Sequence, residues 1–283
     1  SDFTIYDTQD SERLISSIIK EKALDKDVYR AKSIRNRISS LKNNFITVNG
    51  YFANNELVES DNLSRKPETG NIYKEYSERL IKSNSMDFDD LLMKTNELLN
   101  NYPEVLAKYQ EKFKYILVDE FQDTNFIQNK WLNLLVNENE NICCVGDDDQ
   151  SIYSWRGAEI KNFLTFDKIY QNCKVFKLEQ NYRSTKNILD TASNLISNNS
   201  NRVGKKLWSS ANQGELVKLN CYRTGKDEAQ GVSDIIEQKL KKKYSLNDIS
   251  ILVRAIYQTR EFEERFLQVG IGYRVLGGIK FYE

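Results

Sequence analysis

The chain has no histidine in its 283 residues. Imidazole is the side chain that titrates nearest neutrality, so general bases and metal ligands must be sought among carboxylates. Four cysteines without a Cys-x-x-Cys pair provide neither a disulfide framework nor a zinc site. Cys143 and Cys144 sit mid-strand and read as small core residues. No apolar run approaches the roughly 20 residues of a membrane span, and the first residues lack the apolar segment of a signal peptide. No membrane partner and a cytoplasmic location are therefore expected. Net charge is absent too, because 41 basic residues balance 41 acidic ones. Any site for a polyanion has to be a local patch. There is no internal repeat and no low-complexity tract. A composition of 40% hydrophobic and 29% charged residues is that of a globular protein, and the length suits about two domains.

The most informative stretch runs from Ile116 to Thr124. The apolar run Ile116-Leu117-Val118 ends abruptly in Asp119 and Glu120. Such a run suits a strand covered on both faces, as in a parallel sheet. Ligands of open α/β sheets gather at the carboxyl ends of strands. Two carboxylates there need a partner if they are to be buried ionised. Mg²⁺ is economical, since it takes one or two carboxylates and completes its shell with water and phosphate oxygens. The alternative is a strand that simply ends in a charged turn. A second run, Ile142 to Val145, ends in Gly146 and the acids Asp147, Asp148 and Asp149, followed by Gln150. Between the runs, Phe126, Ile127, Trp131, Leu134 and Leu135 recur at helical spacing. A strand–helix–strand unit pairs its strands in parallel, which places both acidic ends on one sheet edge. The Gln150 amide there suits a phosphate oxygen or an attacking water, or is an ordinary turn residue.

At this point the chain resembles the superfamily 1 DNA helicases of the UvrD/Rep/PcrA type. Val118-Asp-Glu-Phe-Gln-Asp-Thr124 resembles the family's Walker B motif, with Phe121 where Tyr is usual. The stretch from Val145 to Ala158 resembles motif III, and Leu178 to Thr185 resembles motif IV. Weaker echoes lie at Phe3–Thr8, Met86–Leu91 and Tyr273–Tyr282. The resemblance covers essentially the whole chain in order. It implies an α/β fold of the P-loop-NTPase (RecA-like) type, with parallel sheets and helices plus an all-helical subdomain at the N-terminus. Residues 1–85 would be the helical subdomain 1B, 86–178 the later part of motor domain 1A, and 179–283 the first part of domain 2A. Helices are expected at 8–22, 26–42, 70–83, 88–100 (capped by Asp87), 103–112, 125–137, 159–170, 184–198, 226–243 and 257–269. Strands are expected at 113–118, 141–146, 173–178, 215–222, 248–253 and 272–276, with 49–69 a loop or short-helix region. Lys239 to Lys243 reads as a solvated helix end that complements the dipole.

The family's Walker A loop, Gly-x-x-x-x-Gly-Lys-Ser/Thr, has no counterpart in these residues. Motifs V and VI have none either. The resemblance therefore implies an internal piece of a helicase about twice as long or more, inactive alone. A truncated relative is the other possibility.

The resemblance also implies roles. ATP and Mg²⁺ would be the cofactors. Asp119 would hold the Mg²⁺, Glu120 would polarise the attacking water, and Gln150 would sense the γ-phosphate. Gln122 and Asp123 are less specific, and Asp123 equally suits a cap for the helix near Asn125. Tyr182 would stack on adenine. Arg183 would act as an arginine finger, because a guanidinium fork is always charged and binds phosphate bidentately; the alternative is an ion pair with Glu179. Tyr153, Trp155 and Arg156 offer two aromatics and a cation, a stacking platform for single-stranded bases, unless the rings are core. Trp131 and Trp208 read as core or interface residues. The expected activity is Mg·ATP hydrolysis driving 3′ to 5′ translocation on single-stranded DNA and unwinding at single/double-strand junctions, in repair or replication restart. Two other readings are the helicase part of a recombination helicase–nuclease, and a non-enzymatic DNA-binding or adaptor relative.

Overall fold

In the computed structural model, which describes residues 3–170, 172–200 and 202–277, the N-terminal helices form for reasons visible in their ends. Strand β1 (Thr4–Tyr6) leads into α1 (Thr8–Glu21), where Asp7 and Asp10 bond each other's backbone N–H in a capping box. Ile15, Ile18 and Ile19 recur on one face of α1 and are buried. Against them pack α2 (Ala31–Asn43) and α5 (Thr69–Lys82), with Ile34, Ile38, Leu41, Ile72, Tyr73, Tyr76 and Leu80 in the same core. The helix expected from residue 26 begins at Ala31, because the Asp25 carboxylate accepts the Asp27 N–H at 2.8 Å and turns the chain first. The 49–69 region is largely helical: α3 (Val48–Ala53) and α4 (Asn55–Leu63) are capped by Thr47 and Asn54.

Strand β2 (Ser85–Asp87) pairs in parallel with β1, in the register Thr4↔Ser85 to Tyr6↔Asp87. Sequence reasoning assigned no strand at either place, yet two of the weaker family echoes meet here. Asp87 then caps α6 (Phe88–Asn101), as expected, in a capping box with Asp90. Beneath this junction Lys42 is 1% exposed and lies 2.7 Å from Asp87 and 2.8 Å from Asp90.

After α7 (Pro103–Lys112) comes the anticipated unit of β3 (Ile116–Val118), α8 (Phe126–Leu135) and β4 (Ile142–Cys144). The strands pair in parallel, Ile116↔Ile142 to Val118↔Cys144. The expectation of cover on both faces fails: Leu117 is 81% exposed, and Cys143 is exposed rather than core. Cys144 is half-buried, which pushes its thiol up to about 12. The helix expected at 159–170 is two, α9 (Ile160–Leu164) and α10 (Phe166–Ile169), broken where the Thr165 hydroxyl bonds the Lys161 carbonyl at 2.8 Å.

The strands expected at 173–178, 215–222, 248–253 and 272–276 form no ladder among the described residues. Apolar content marks residues able to pair, but a ladder needs a neighbouring strand. Without one, Phe176, Leu178, Leu219 and Leu252 stand more than 80% exposed. Trp208, expected in a core or interface, is half exposed.

Contacts divide the chain into two units. One comprises Ser1–Arg183 and Ala192–Ser210, the other Ser184–Thr191 and Ala211–Glu283. Helix α11 (Lys186–Ile196) is shared between them. The second unit centres on α12 (Gly225–Lys241) and α13 (Thr259–Val269), packed through Ala229, Ile236, Phe262, Phe266 and Ile271. In the Tyr273–Tyr282 echo, everything beyond residue 277 lies outside the described residues.

Candidate active site

The β3–β4 ladder continues past the strands. Val145 N–H donates to Val118 O at 2.8 Å and Phe121 N–H to Val145 O at 3.0 Å. Both acidic ends therefore lie side by side on one sheet edge, as the strand–helix–strand pattern requires. Asp119 Oδ1 accepts the Glu120 N–H at 2.9 Å. Glu120 has φ +50° and ψ +41°, a left-handed conformation uncommon for a residue with a Cβ. Strain of this kind persists only where surrounding structure over-determines it. Here a 3₁₀ turn, Phe121–Asp123, follows at once, and Phe121 is buried beside Phe163 and Phe166.

Gln122 is the residue whose importance sequence reasoning missed. It is 1% exposed. Its Nε2 donates to Glu120 Oε2 at 2.7 Å and its Oε1 accepts the Asp147 N–H at 3.0 Å, so one side chain joins the two acidic ends. Gly146 makes room for it, since a Cβ there would lie 2.6 Å from Gln122 Oε1 and 2.8 Å from Phe163. The only sequence signal was an amide enclosed by Phe121 and the acids. Asp123 does not cap α8; Asn125 does, in a capping box with Gln128. Burial, with Glu120 nearby, pushes the Asp123 carboxyl up.

Asp147, Asp148 and Asp149 gather their oxygens within 4.8 Å of one another. The protein answers this charge itself. Arg202 Nε bonds Asp149 at 2.8 Å, Lys205 bonds Asp147 and lies 3.5 Å from Asp149, and Val203 N–H reaches Asp148 at 2.7 Å. Burial works against ionised Asp147, but the hydrogen bonds from Lys205 and Gln150 hold its carboxyl below the usual range. Gln150 Nε2 donates to Asp147 Oδ2 at 2.8 Å. Among the described residues no ion pair engages Asp119 or Glu120. Two exposed carboxylates without a protein cation fit a hard divalent ion that prefers oxygen donors.

The loop then delivers its aromatics. A 3₁₀ turn, Ser154–Arg156, ends at Gly157 with φ +87°, a conformation glycine adopts without strain. The Arg156 guanidinium lies 4.6 Å from the Trp155 ring and 5.1 Å from the Tyr153 ring. Trp155 is 69% exposed, so it is not a core residue, whereas Tyr153 is half-buried. The loop is tied to the Walker B-like segment by a bridge between Asn125 and Ala158 and by Glu159 N–H on Thr124 O at 2.9 Å.

Tyr182 and Arg183 stand apart from this constellation. Tyr182 is 83% exposed, with its hydroxyl on Gln180 Oε1 at 2.7 Å. Arg183 is exposed, and its N–H bonds Asn181 Oδ1 at 2.9 Å. Glu179 Oε1 instead accepts the Lys206 N–H at 3.0 Å, and no ion pair joins it to Arg183 among the described residues.

Residues 1–171 match the UvrD/REP helicase N-terminal domain and residues 176–283 the UvrD-like helicase C-terminal domain. The chain is 44% identical over 282 residues to a probable DNA helicase II homolog of Rickettsia felis, covering 99% of this chain and 42% of that protein. It is 43% identical over 290 residues to the ATP-dependent DNA helicase PcrA of Bacillus subtilis, covering 99% of this chain and 37% of that protein. It thus spans about two fifths of the length of these relatives. On the domain matches and the identity along nearly its entire length, the chain belongs to the UvrD/Rep helicase family.

Proposed function

We propose that the chain supplies part of the ATPase and DNA-gripping machinery of an ATP-dependent DNA helicase that moves 3′ to 5′ on single-stranded DNA and opens junctions in repair or replication restart. Within it, residues 1–85 would be helical subdomain 1B, 86–178 the later part of motor domain 1A and 179–283 the first part of 2A. The observation that carries the reading is the parallel β3–β4 pair, whose acidic ends share one edge and are bridged by Gln122.

Bound Mg²⁺ would supply positive charge at the phosphates. Asp119 would hold it, its other oxygen already fixed by the Glu120 N–H. Glu120, oriented by Gln122, would take the proton of the attacking water. Gln150, with one amide hydrogen held by Asp147 Oδ2, would direct the other to the γ-phosphate, and Arg183 would neutralise charge developing there. Tyr182 would stack on adenine. Trp155, with Tyr153 and Arg156, would hold bases by sequence-tolerant stacking. Phosphoryl transfer depends almost wholly on positioning and charge, so these 283 residues, which contain no Walker A loop, should not turn over ATP by themselves.

Steady-state ATPase with Mg²⁺ and single-stranded DNA tests this. Turnover should be absent for the 283-residue chain, present in a helicase containing it, and abolished there by Glu120→Gln. Turnover by the chain alone would refute its dependence on further residues, and survival of Glu120→Gln would refute the assigned base. Duplexes with 3′ or 5′ tails read polarity; unwinding only from 5′ tails would reverse the direction.

A further inference from the structure

We propose that Lys205 is a positioning residue for the Gln150 side-chain amide, acting through Asp147. The inference rests on the reading of Gln150 as the γ-phosphate sensor. Asp147 presents its two oxygens to different partners. Oδ1 takes Lys205 and the Asp149 N–H, while Oδ2 takes Gln150 Nε2. A carboxylate held firmly on one oxygen has its other oxygen fixed in direction. The Asp147 backbone N–H meanwhile binds Gln122, which binds Glu120. One residue therefore connects a cation 58 positions away in sequence with both the sensor amide and the amide that orients the base.

The segment carrying Lys205 is itself braced on two sides. Arg202 and Val203 N–H fasten it to Asp149 and Asp148. Lys206 N–H bonds Glu179 Oε1, Trp208 N–H bonds Glu179 O at 2.9 Å, and Asn181 N–H bonds Trp208 O at 2.8 Å. The strap thus touches the Asp147–Gln150 loop at one end and the residues just before Tyr182 and Arg183 at the other. Lys205 and Asp147 are only 18% and 27% exposed in their side chains, so solvent screens their pairing less than a surface pair.

The test needs no turnover. In the 283-residue chain with ¹⁵N-labelled glutamine, Gln150→Ala identifies the Gln150 side-chain amide signals. They should stand apart from the free-glutamine position in the parent chain and in Lys205→Arg, and should collapse onto it in Lys205→Met. Lys205→Gln, which keeps a donor without the charge, replaces Lys205→Met if that variant does not fold. A merely structural lysine would lower the melting temperature and leave the Gln150 signals in place, which would overturn the proposal. In a helicase containing this chain, Lys205→Met should narrow the preference for ATP over ADP by about tenfold, the scale of one charge-assisted hydrogen bond, and Lys205→Arg should restore it. An unchanged preference in Lys205→Met beside a narrowed one in Gln150→Ala refutes the role of Lys205. An unchanged preference in Gln150→Ala refutes the sensor itself.

Discussion

Replacing Lys42 by Met should unfold the first unit more readily than any surface change, and in a pH-dependent manner. Met approximates lysine's length, so the cavity term is small and the lost charge dominates. Asp87 and Asp90 would remain buried without the ammonium now 2.7 and 2.8 Å from them. Breaking a buried pair from one side costs about 3–5 kcal/mol. Loss of the ammonium 5.1 Å from the Tyr76 ring adds to this, while the Tyr76 hydroxyl on Asp87 at 2.9 Å remains and offsets part. Burial pushes the Asp87 carboxyl up, but Lys42, the Asp90 N–H and the Tyr76 hydroxyl together more than reverse this, and the net position is below the usual range. Such an acid contributes stability above its unfolded pKa, lost as pH falls through the folded one. At Asp90 burial and the Asp87 charge outweigh Lys42, and the net position is above. Its contribution runs the other way, fading as pH rises through its folded value. In Lys42→Met the influence that lowers both is gone. Burial then raises both carboxyls, and the folded variant takes up protons more readily than the unfolded chain. The deficit should be largest near about pH 8 and should narrow toward about pH 5. Urea denaturation followed by tryptophan fluorescence measures it cleanly, because Trp131, Trp155 and Trp208 all lie in the first unit. A loss under about 1 kcal/mol, or one independent of pH, would refute the account of this cluster.

Three further outcomes are expected. Gly146→Ala should displace Gln122 and lower ATP turnover in a helicase containing this chain, while DNA affinity stays near its parent value; ATPase and DNA-binding assays on one preparation separate the two. Arg183→Ala should lower kcat by about 10³ or more with a smaller change in ATP binding, and Arg183→Lys should fail as well, since an ammonium lacks the fork; near-normal turnover of Arg183→Lys would make Arg183 structural. Trp155→Ala should weaken single-stranded DNA binding by about 1–3 kcal/mol whatever the base sequence, leaving the salt slope and the melting temperature almost unmoved; a large melting loss would return Trp155 to a packing role.

The long helices were legible because their signals are local. Asp87 before α6 and the apolar spacing of Ile15, Ile18 and Ile19 need nothing from elsewhere. The β3–α8–β4 unit was equally readable, since two apolar runs separated by one helix leave little freedom of connection. Pairing across distance was not. Thr4–Tyr6 meets Ser85–Asp87 from 81 residues away, and neither strand is long enough to announce itself. The apolar segments near 176, 219 and 252 carry strand-like composition without a ladder, because composition says nothing of who stands beside them. Within the site, the acids were visible as types, whereas the bridging by Gln122 and the neutralisation by Arg202 and Lys205 depend on side-chain geometry that spacing does not encode.

The open face of the β3–β4 pair also governs how this polypeptide behaves in solution. Each strand of a two-stranded sheet is an edge, with a row of backbone donors and acceptors available to another chain. On β3 and just before it, Leu117 and Tyr115 are each more than 75% exposed. The chain carries no net charge at pH 7 and its pI is about 6.5, so little long-range repulsion keeps copies apart. Copies of the chain should therefore associate most readily near neutrality, where charge repulsion is weakest. An acidic substitution at Leu117 would supply both repulsion and an interruption of this apolar face.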